Sequence, residues 1–154
     1  MPETQGRVAT ATFTPAAAAY AAGDVIEGAK EFIGAGGMLG GEVKIASVEL
    51  EVDASAVQSG ETSYRLYLYA VTPPSAPADN AAWDLPAGDR AAWRGYVDLG
   101  TPVDLGSTLW VETHNLQKQV TVPSGGSLFG LLVTNGGFTA TAVPRKVTLH
   151  TQRL

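Results

Sequence analysis

The sequence contains no cysteine. Its absence excludes disulfides, thiolate-bound zinc, iron–sulfur clusters and thiol nucleophiles. Histidine is almost as scarce, with 2 residues in 154, too few for a histidine-rich metal site. Charge is thin: Asp, Glu, Lys and Arg make up 16 % of the chain, well under the usual quarter. Positive charge is the scarcer sign. There are 10 Lys and Arg against 15 Asp and Glu, giving a formal net charge of −5. A nucleic-acid binder carries a basic patch to neutralise phosphates, so this balance argues against that partner. No apolar run reaches the ~18 residues of a bilayer span, so no membrane partner is expected. The opening Met1-Pro2-Glu3-Thr4-Gln5-Gly6-Arg7 lacks the basic-then-apolar pattern of a secretory signal. No Asn-x-Ser/Thr acceptor occurs. The expectation is a soluble chain made in a cytoplasm.

What is present is a globular composition. Hydrophobic residues make up 45 %, and the length suits one domain. Glycine (18) and proline (9) recur between short apolar runs. Short strands with frequent turn signals predict an all-β fold: an antiparallel β-sandwich of jelly-roll or Greek-key type, one domain over residues 1–154. Arg7 to Phe13 reads as the first strand, with residues 1–15 a candidate N-terminal arm. Thr14-Pro15 before Ala16–Ala22 and Gly23 obeys the rules for a short helix. An alanine helix has no apolar face worth burying, so a helical turn or an irregular bend is expected. Asp24 to Phe32 holds one or two strands. The glycines from Gly34 to Gly41 mark mobile loop edges.

Glu42 to Asp53 gives the clearest strand. Ala46, Val48, Leu50 and Val52 share one face, joined by Lys44, and Ser47, Glu49, Glu51 and Asp53 share the other. That is the period-2 pattern of a half-buried antiparallel strand. Ser63 to Val71 is different. Tyr64, Leu66, Leu68 and Ala70 lie on one side, Arg65, Tyr67, Tyr69 and Val71 on the other. Large groups on both faces predict a capping loop or a subunit contact. Residues 72–94 then form a long Pro-rich loop, because Pro cannot donate to a strand ladder. Asp89 to Trp93 adds a helical turn. Loops beyond about 12–15 residues are usually functional or disordered, and Trp83 and Trp93 argue against disorder. Further strands are expected at Gly95–Leu99, Ser107–Thr113, Gln117–Val122, Ser127–Thr134 and Lys146–Gln152, with Asn135-Gly136 as a hairpin turn.

No catalytic constellation stands out. There is no Gly-x-Ser-x-Gly elbow. His114 and His150 sit on or beside strands with no partner fixed by spacing. Asp79, Asn80, Asp84 and Asp89 can offer oxygens to a hard cation, but they equally read as turn and cap residues. Glu49, Glu51 and Asp53 read as a solvated sheet face. Gly34 to Gly41 lacks the Lys and following helix of a phosphate cradle. The chain is therefore expected to be no enzyme, with no cofactor and no metal.

Ser63–Asp98, SYRLYLYAVTPPSAPADNAAWDLPAGDRAAWRGYVD, carries the one specific signal. It resembles a group of small structural proteins of tailed bacteriophages and prophages. In that group a "FRLHLYN" strand runs into a "TPPSAxADNAAW" loop and then a "DR…GYVDLG" segment. The likeness continues through Leu99-Gly100-Thr101-Pro102-Val103-Asp104. It extends to Leu128–Phe138 and to Ala19–Ile26, so it spans most of the chain. Ala16–Ala22 departs from the more polar opening of the group.

The resemblance implies a virion structural protein, first of all a capsid decoration or cement protein on the capsid surface. Its partners would be the major capsid protein or other virion proteins and its own copies, as a homotrimer. It would be made in the host bacterial cytoplasm. A head-fibre, tail or receptor- and carbohydrate-binding module of the virion is the alternative. Candidate contact residues are Tyr67 and Tyr69 on the two-faced strand, with Pro73, Pro74, Trp83 and Trp93 in the long loop. The same aromatics, Trp93 and Trp110 above all, read equally well as packing groups.

Overall fold

The computed structural model describes residues 5–154, and no α-helix occurs among them. Nine strands of five or more residues carry the fold: β1 (Gly6–Phe13), β3 (Val25–Phe32), β4 (Gly41–Val52), β5 (Tyr64–Tyr69), β6 (Trp93–Leu99), β8 (Leu109–Thr113), β9 (Lys118–Val122), β10 (Leu128–Thr134) and β12 (Arg145–Arg153). Three two-residue strands complete the set: β2 (Ala19–Tyr20), β7 (Val103–Asp104) and β11 (Phe138–Thr139).

One antiparallel sheet runs β1, β12, β4, β8, β7, with β9 continuing along β4 beyond β8. The other runs β3, β10, β5, β6. Both β8 and β9 pair with β4, so they are two halves of one strand broken at residues 114–117. Counted so, the chain fills two four-stranded sheets and crosses between them repeatedly. That is a jelly roll. From Gly6 on, the segment expected as an N-terminal arm is the edge strand β1, paired along its whole length with β12. Residues 1–4 lie outside the described residues.

The core follows from alternation. Ala9, Ala11 and Phe13 of β1 turn inward, as do Val147 and Leu149 of β12 and Leu66 and Leu68 of β5. Burying each large aliphatic or aromatic side chain contributes about 1.5–3 kcal/mol before entropy is subtracted. On β4 the expected alternation fails at one point. Val43 and Ile45 face inward, and so do Val48, Leu50 and Val52. Between them sits a bulge: Ser47 opposes His150, but Ile45 opposes Thr151. The extra residue, Ala46, switches the parity. Ala46 and Lys44 therefore leave the core face to which the strand pattern assigned them. The partner strand adjusts at the same level, where Leu116 N–H donates to Ala46 O across 2.9 Å.

Of the two forms expected for Ala16–Ala22, the structure takes the irregular bend, which then pairs β2 with β11. Two other local expectations change. Asn135-Gly136 makes no hairpin, because β10 and β11 belong to different sheets. Asn135 is instead tied to Ser63, whose carbonyl accepts from its N–H at 3.0 Å. Gly34 to Gly41 is a packed corner rather than a loose link. Ala35, Gly36 and Gly37 are buried, and a Cβ on Gly36 would lie 2.6 Å from the Val122 side chain.

Candidate functional site

Residues 70–92 do not hang free. The segment crosses the outer face of the β3–β10–β5–β6 sheet as a strap and returns to start β6. Its far end pairs with the start of β3 like a short strand. Val25 N–H donates to Ala81 O (2.8 Å), Asn80 N–H to Val25 O (2.8 Å), and Trp83 N–H to Gly23 O (2.9 Å). Asp79 fastens this end. Its Oδ1 accepts from the Tyr20 hydroxyl and from Glu27 N–H, both at 2.7 Å. Asp89, on a 3-10 turn (Ala87–Asp89), fastens the near end by accepting from the N–H and hydroxyl of Ser75. Asp79 and Asp89 thus serve as acceptors within the chain, and Asp84 is exposed. The helical turn lies slightly before the expected Asp89–Trp93.

Under the strap sits a second apolar cluster, separate from the sandwich core. Val25, Tyr67, Tyr69, Leu131 and Val133 come from the sheet, and Ala92 closes it. Trp83 stacks on Tyr67 with centroids 3.8 Å apart and planes 9° from parallel. Its indole N–H donates to the Tyr69 hydroxyl at 3.1 Å. Trp93 meets Tyr69 edge-on at 5.5 Å. Such pairs add about 0.5–1.5 kcal/mol each beyond area burial. Burial pushes the Tyr69 phenol up from its ordinary pKa.

The six candidate contact residues thus divide. Tyr69 is 0 % exposed and Tyr67 is 7 % exposed. Pro73 is also buried, and its carbonyl accepts from Ala76 N–H in a turn. Trp83 and Trp93 are half-buried, and Pro74 is exposed. What these residues present outward is part of two indoles and one proline. Tyr67 and Tyr69 supply the floor on which Trp83 and Trp93 rest.

Sequence reasoning passed over Tyr96. Its ring is 46 % exposed beside this cluster. The Arg65 guanidinium lies 4.2 Å above it and is ion-paired with Asp98 at 2.6 Å. The signal was available, since Val97 and Leu99 face the core and Tyr96 and Asp98 must then face out.

Beside Tyr64 of the core lies a buried charge pair. Arg145 Nη2 is 3.2 Å from Glu61 Oε1, and both side chains are nearly inaccessible. The Tyr64 hydroxyl donates to Glu61, and Gln58 N–H donates to the other carboxylate oxygen at 3.0 Å. Arg145 also donates to Val143 O at 2.7 Å. Burial raises the Tyr64 pKa. With its partners satisfied, the pair pins the loop between β4 and β5 to the start of β12. Removing one partner from such a pair typically costs about 3–5 kcal/mol. His150 faces Glu49 at 3.1 Å on the open sheet face, and His114 is exposed. Among the described residues no histidine is hydrogen-bonded to a serine, and no three acids or histidines converge as a metal would need.

No family model and no curated protein matches this chain. Solved structures do align with it along almost its whole length. The capsid of Helicobacter pylori bacteriophage KHP30 shows 13 % identity over 97 % of this chain and 90 % of that one, with a TM-score of 0.39. The capsid of Ralstonia phage GP4 shows 16 % identity over 99 % and 86 %, with a TM-score of 0.40. The cyanophage Pam1 capsid shows 14 % over 99 % and 86 %, with a TM-score of 0.39. All three are phage capsids. At these scores the likeness carries no argument, and the jelly roll stands on this chain's own strand pairing.

Proposed function

We propose that the chain is a non-enzymatic structural component of a bacteriophage virion, and specifically a capsid decoration or cement protein. One observation carries this reading. The stretch that resembles phage structural proteins, Ser63–Asp98, builds one continuous unit: β5, the strap over its outer face, and β6. The jelly roll on which that unit sits is an architecture of viral capsid domains, among others. In this reading the protein is made in the host cytoplasm and docks on the capsid surface as a homo-oligomer, a homotrimer being the expected form. Its contacts are with the major capsid protein or its virion neighbours. Binding only the assembled state stabilises that state by mass action, and several linked copies raise the effective concentration of weak contacts. Pro74 and the outer edges of Trp83 and Trp93 are the contact positions that this unit offers.

The test is the copy number of the chain in purified virions, measured by quantitative mass spectrometry against the major shell protein. A ratio comparable with the shell protein is expected. A ratio far below it would move the protein to the neck, tail or fibre. Absence from the virion would overturn the reading.

Tyr96 supports a second reading, a receptor- or carbohydrate-binding module. An exposed ring beside Arg65 and Asp98 offers a sugar both a stacking face and hydrogen-bonding groups. Glycan-dependent quenching of Trp93 and Trp83 fluorescence is expected there, and no quenching across a broad glycan panel would remove it.

A further inference from the structure

The packed corner at residues 33–40 holds up two large apolar side chains. Met38 is 86 % exposed and Leu39 is 80 % exposed. Their backbone is held firmly. Gly36 N–H donates to Gly126 O and Gly125 N–H donates to Met38 O, each at 2.9 Å. Gly37 and Gly40 take left-handed backbone angles, φ +74° and +68°, in close contact with neighbouring groups. A rigid knob of this kind loses little freedom on docking, which favours binding.

Against the same 123–127 loop lies a groove of about 300 Å³, lined by Glu31, Ala70, Val71, Pro123, Gly125 and Phe129 among others. Of its lining, Val71 is itself an exposed apolar group. So one end of the sandwich carries a knob and a hole that share a wall. Charge follows the same division. Beside the knob, the Arg7 guanidinium packs on Gly37, and its buried Nε has no hydrogen-bond partner among the described residues. Beside the hole, the Glu31 carboxylate accepts only from the Ser127 hydroxyl, at 2.6 Å, among the described residues.

We propose that this end is a self-contact. The Met38–Leu39 knob of one copy seats in the groove of a second copy, where Arg7 of the first meets Glu31 of the second. A knob adjacent to its own hole allows the two copies to exchange the contact about a two-fold axis, or to pass it around a closed ring. The contact names the surface for the self-association expected above, and it needs no virion, because the purified chain alone should make it.

Sedimentation velocity on the purified full chain tests it, with four single variants and one double variant. The wild type should associate as concentration rises. Leu39→Asp should weaken association about tenfold or more, as loss of a central apolar anchor does. Leu105→Asp, at another exposed apolar site, in the loop between β7 and β8, should leave it unchanged. Arg7→Glu and Glu31→Arg should each weaken association, and together they should restore it. A wild type that stays monomeric at millimolar concentration would overturn the proposal. So would association that survives Leu39→Asp, or a charge-reversed pair that fails to recover. Circular dichroism of each variant separates loss of contact from loss of fold. Virion copy number remains a separate readout, so failure of one proposal leaves the other standing.

Discussion

On the outside of the β3–β10–β5–β6 sheet, Tyr67, Tyr69, Leu131 and Val133 are covered by the strap with its two tryptophans. On the outside of the β1–β12–β4–β8 sheet, Thr10, Thr12, Glu51 and Lys146 meet water directly. The strands record this difference. β12 alternates cleanly between inward Val147 and Leu149 and outward Lys146 and Thr148, as a strand with one wet face does. β10 reads Leu-Phe-Gly-Leu-Leu-Val-Thr and is apolar almost throughout. Two-sided burial in a sandwich therefore signals a third layer. Here that layer is a strap with little regular structure, held by two aspartates and one stacked pair of rings.

The sharpest way to break the contrast is Trp83→Ala. It removes the ring stacked on Tyr67 and the donor to Tyr69. The loss should be about 2–3 kcal/mol, below the ~3–5 of a fully buried aromatic because Trp83 keeps one edge in water. Urea unfolding measures it, and near-ultraviolet dichroism should lose much of its aromatic signal. A loss under ~0.5 kcal/mol would mean that the strap does not seal the face.

Asp79→Ala should cost less, about 1–2 kcal/mol, because it leaves one hydroxyl and one amide without their acceptor. Hydrogen exchange sharpens the point. The amides of Asn80, Ala81 and Trp83 should exchange faster while those of β1 and β12 keep their protection. Uniform acceleration would mean that strap and sandwich open as one unit.

Alkaline pH acts on the same anchor. Burial, reinforced by the hydrogen bond to Asp79, pushes the Tyr20 pKa up to about 12. An unfolded tyrosine ionises near ~10. Between those values the unfolded chain has released its proton and the folded chain has not. Stability is therefore fully present below ~10 and falls as pH rises towards about 12. Tyr64 and Tyr69, both raised by burial, add to the slope. Phenolate absorbance during alkaline unfolding follows this, and Tyr20→Phe should flatten the dependence. An unchanged slope in that variant would remove Tyr20 as its source.

The smallest effects belong to the open face. Thr10→Ser and Glu51→Gln should each stay within ~0.5 kcal/mol by thermal melting. A larger loss there would show that this face too is covered in solution.

Much of the sandwich was legible because it rests on local alternation and turn chemistry. The strands over Arg7–Phe13 and Ser127–Thr134 fall within a residue of their expected limits. The two-faced character of Ser63–Val71 left a capping loop and a subunit contact open, and the strap is such a capping loop. What failed depended on distant neighbours. A single inserted residue, Ala46, inverts half of β4; the apolar positions change parity between Ile45 and Val48, a mark that reading the strand as one unbroken alternation passes over. Asn135-Gly136 has the composition of a hairpin turn, but tertiary bonding to Ser63 sends the chain to another sheet. Asp79 looked like any loop acid, since its partner Tyr20 lies 59 residues away. At the candidate site, the aromatic types were visible, but which rings lie beneath and which lie on top was not.

The position of β12 has a consequence for how the molecule is made. β1 and β4 lie in the same sheet without touching; β12 stands between them and hydrogen-bonds to both. Yet β12 comes last in chain order among the described strands. Until Arg145–Arg153 has emerged, the early strands have no common neighbour, and their apolar residues wait uncovered. Domains built on such long-range pairing fold slowly, and their open strand edges invite aggregation. Completion of this sheet thus waits for the synthesis of β12, however early β1 and β4 are made. A nascent chain stalled before residue 145 should remain protease-sensitive in β1 however long it waits.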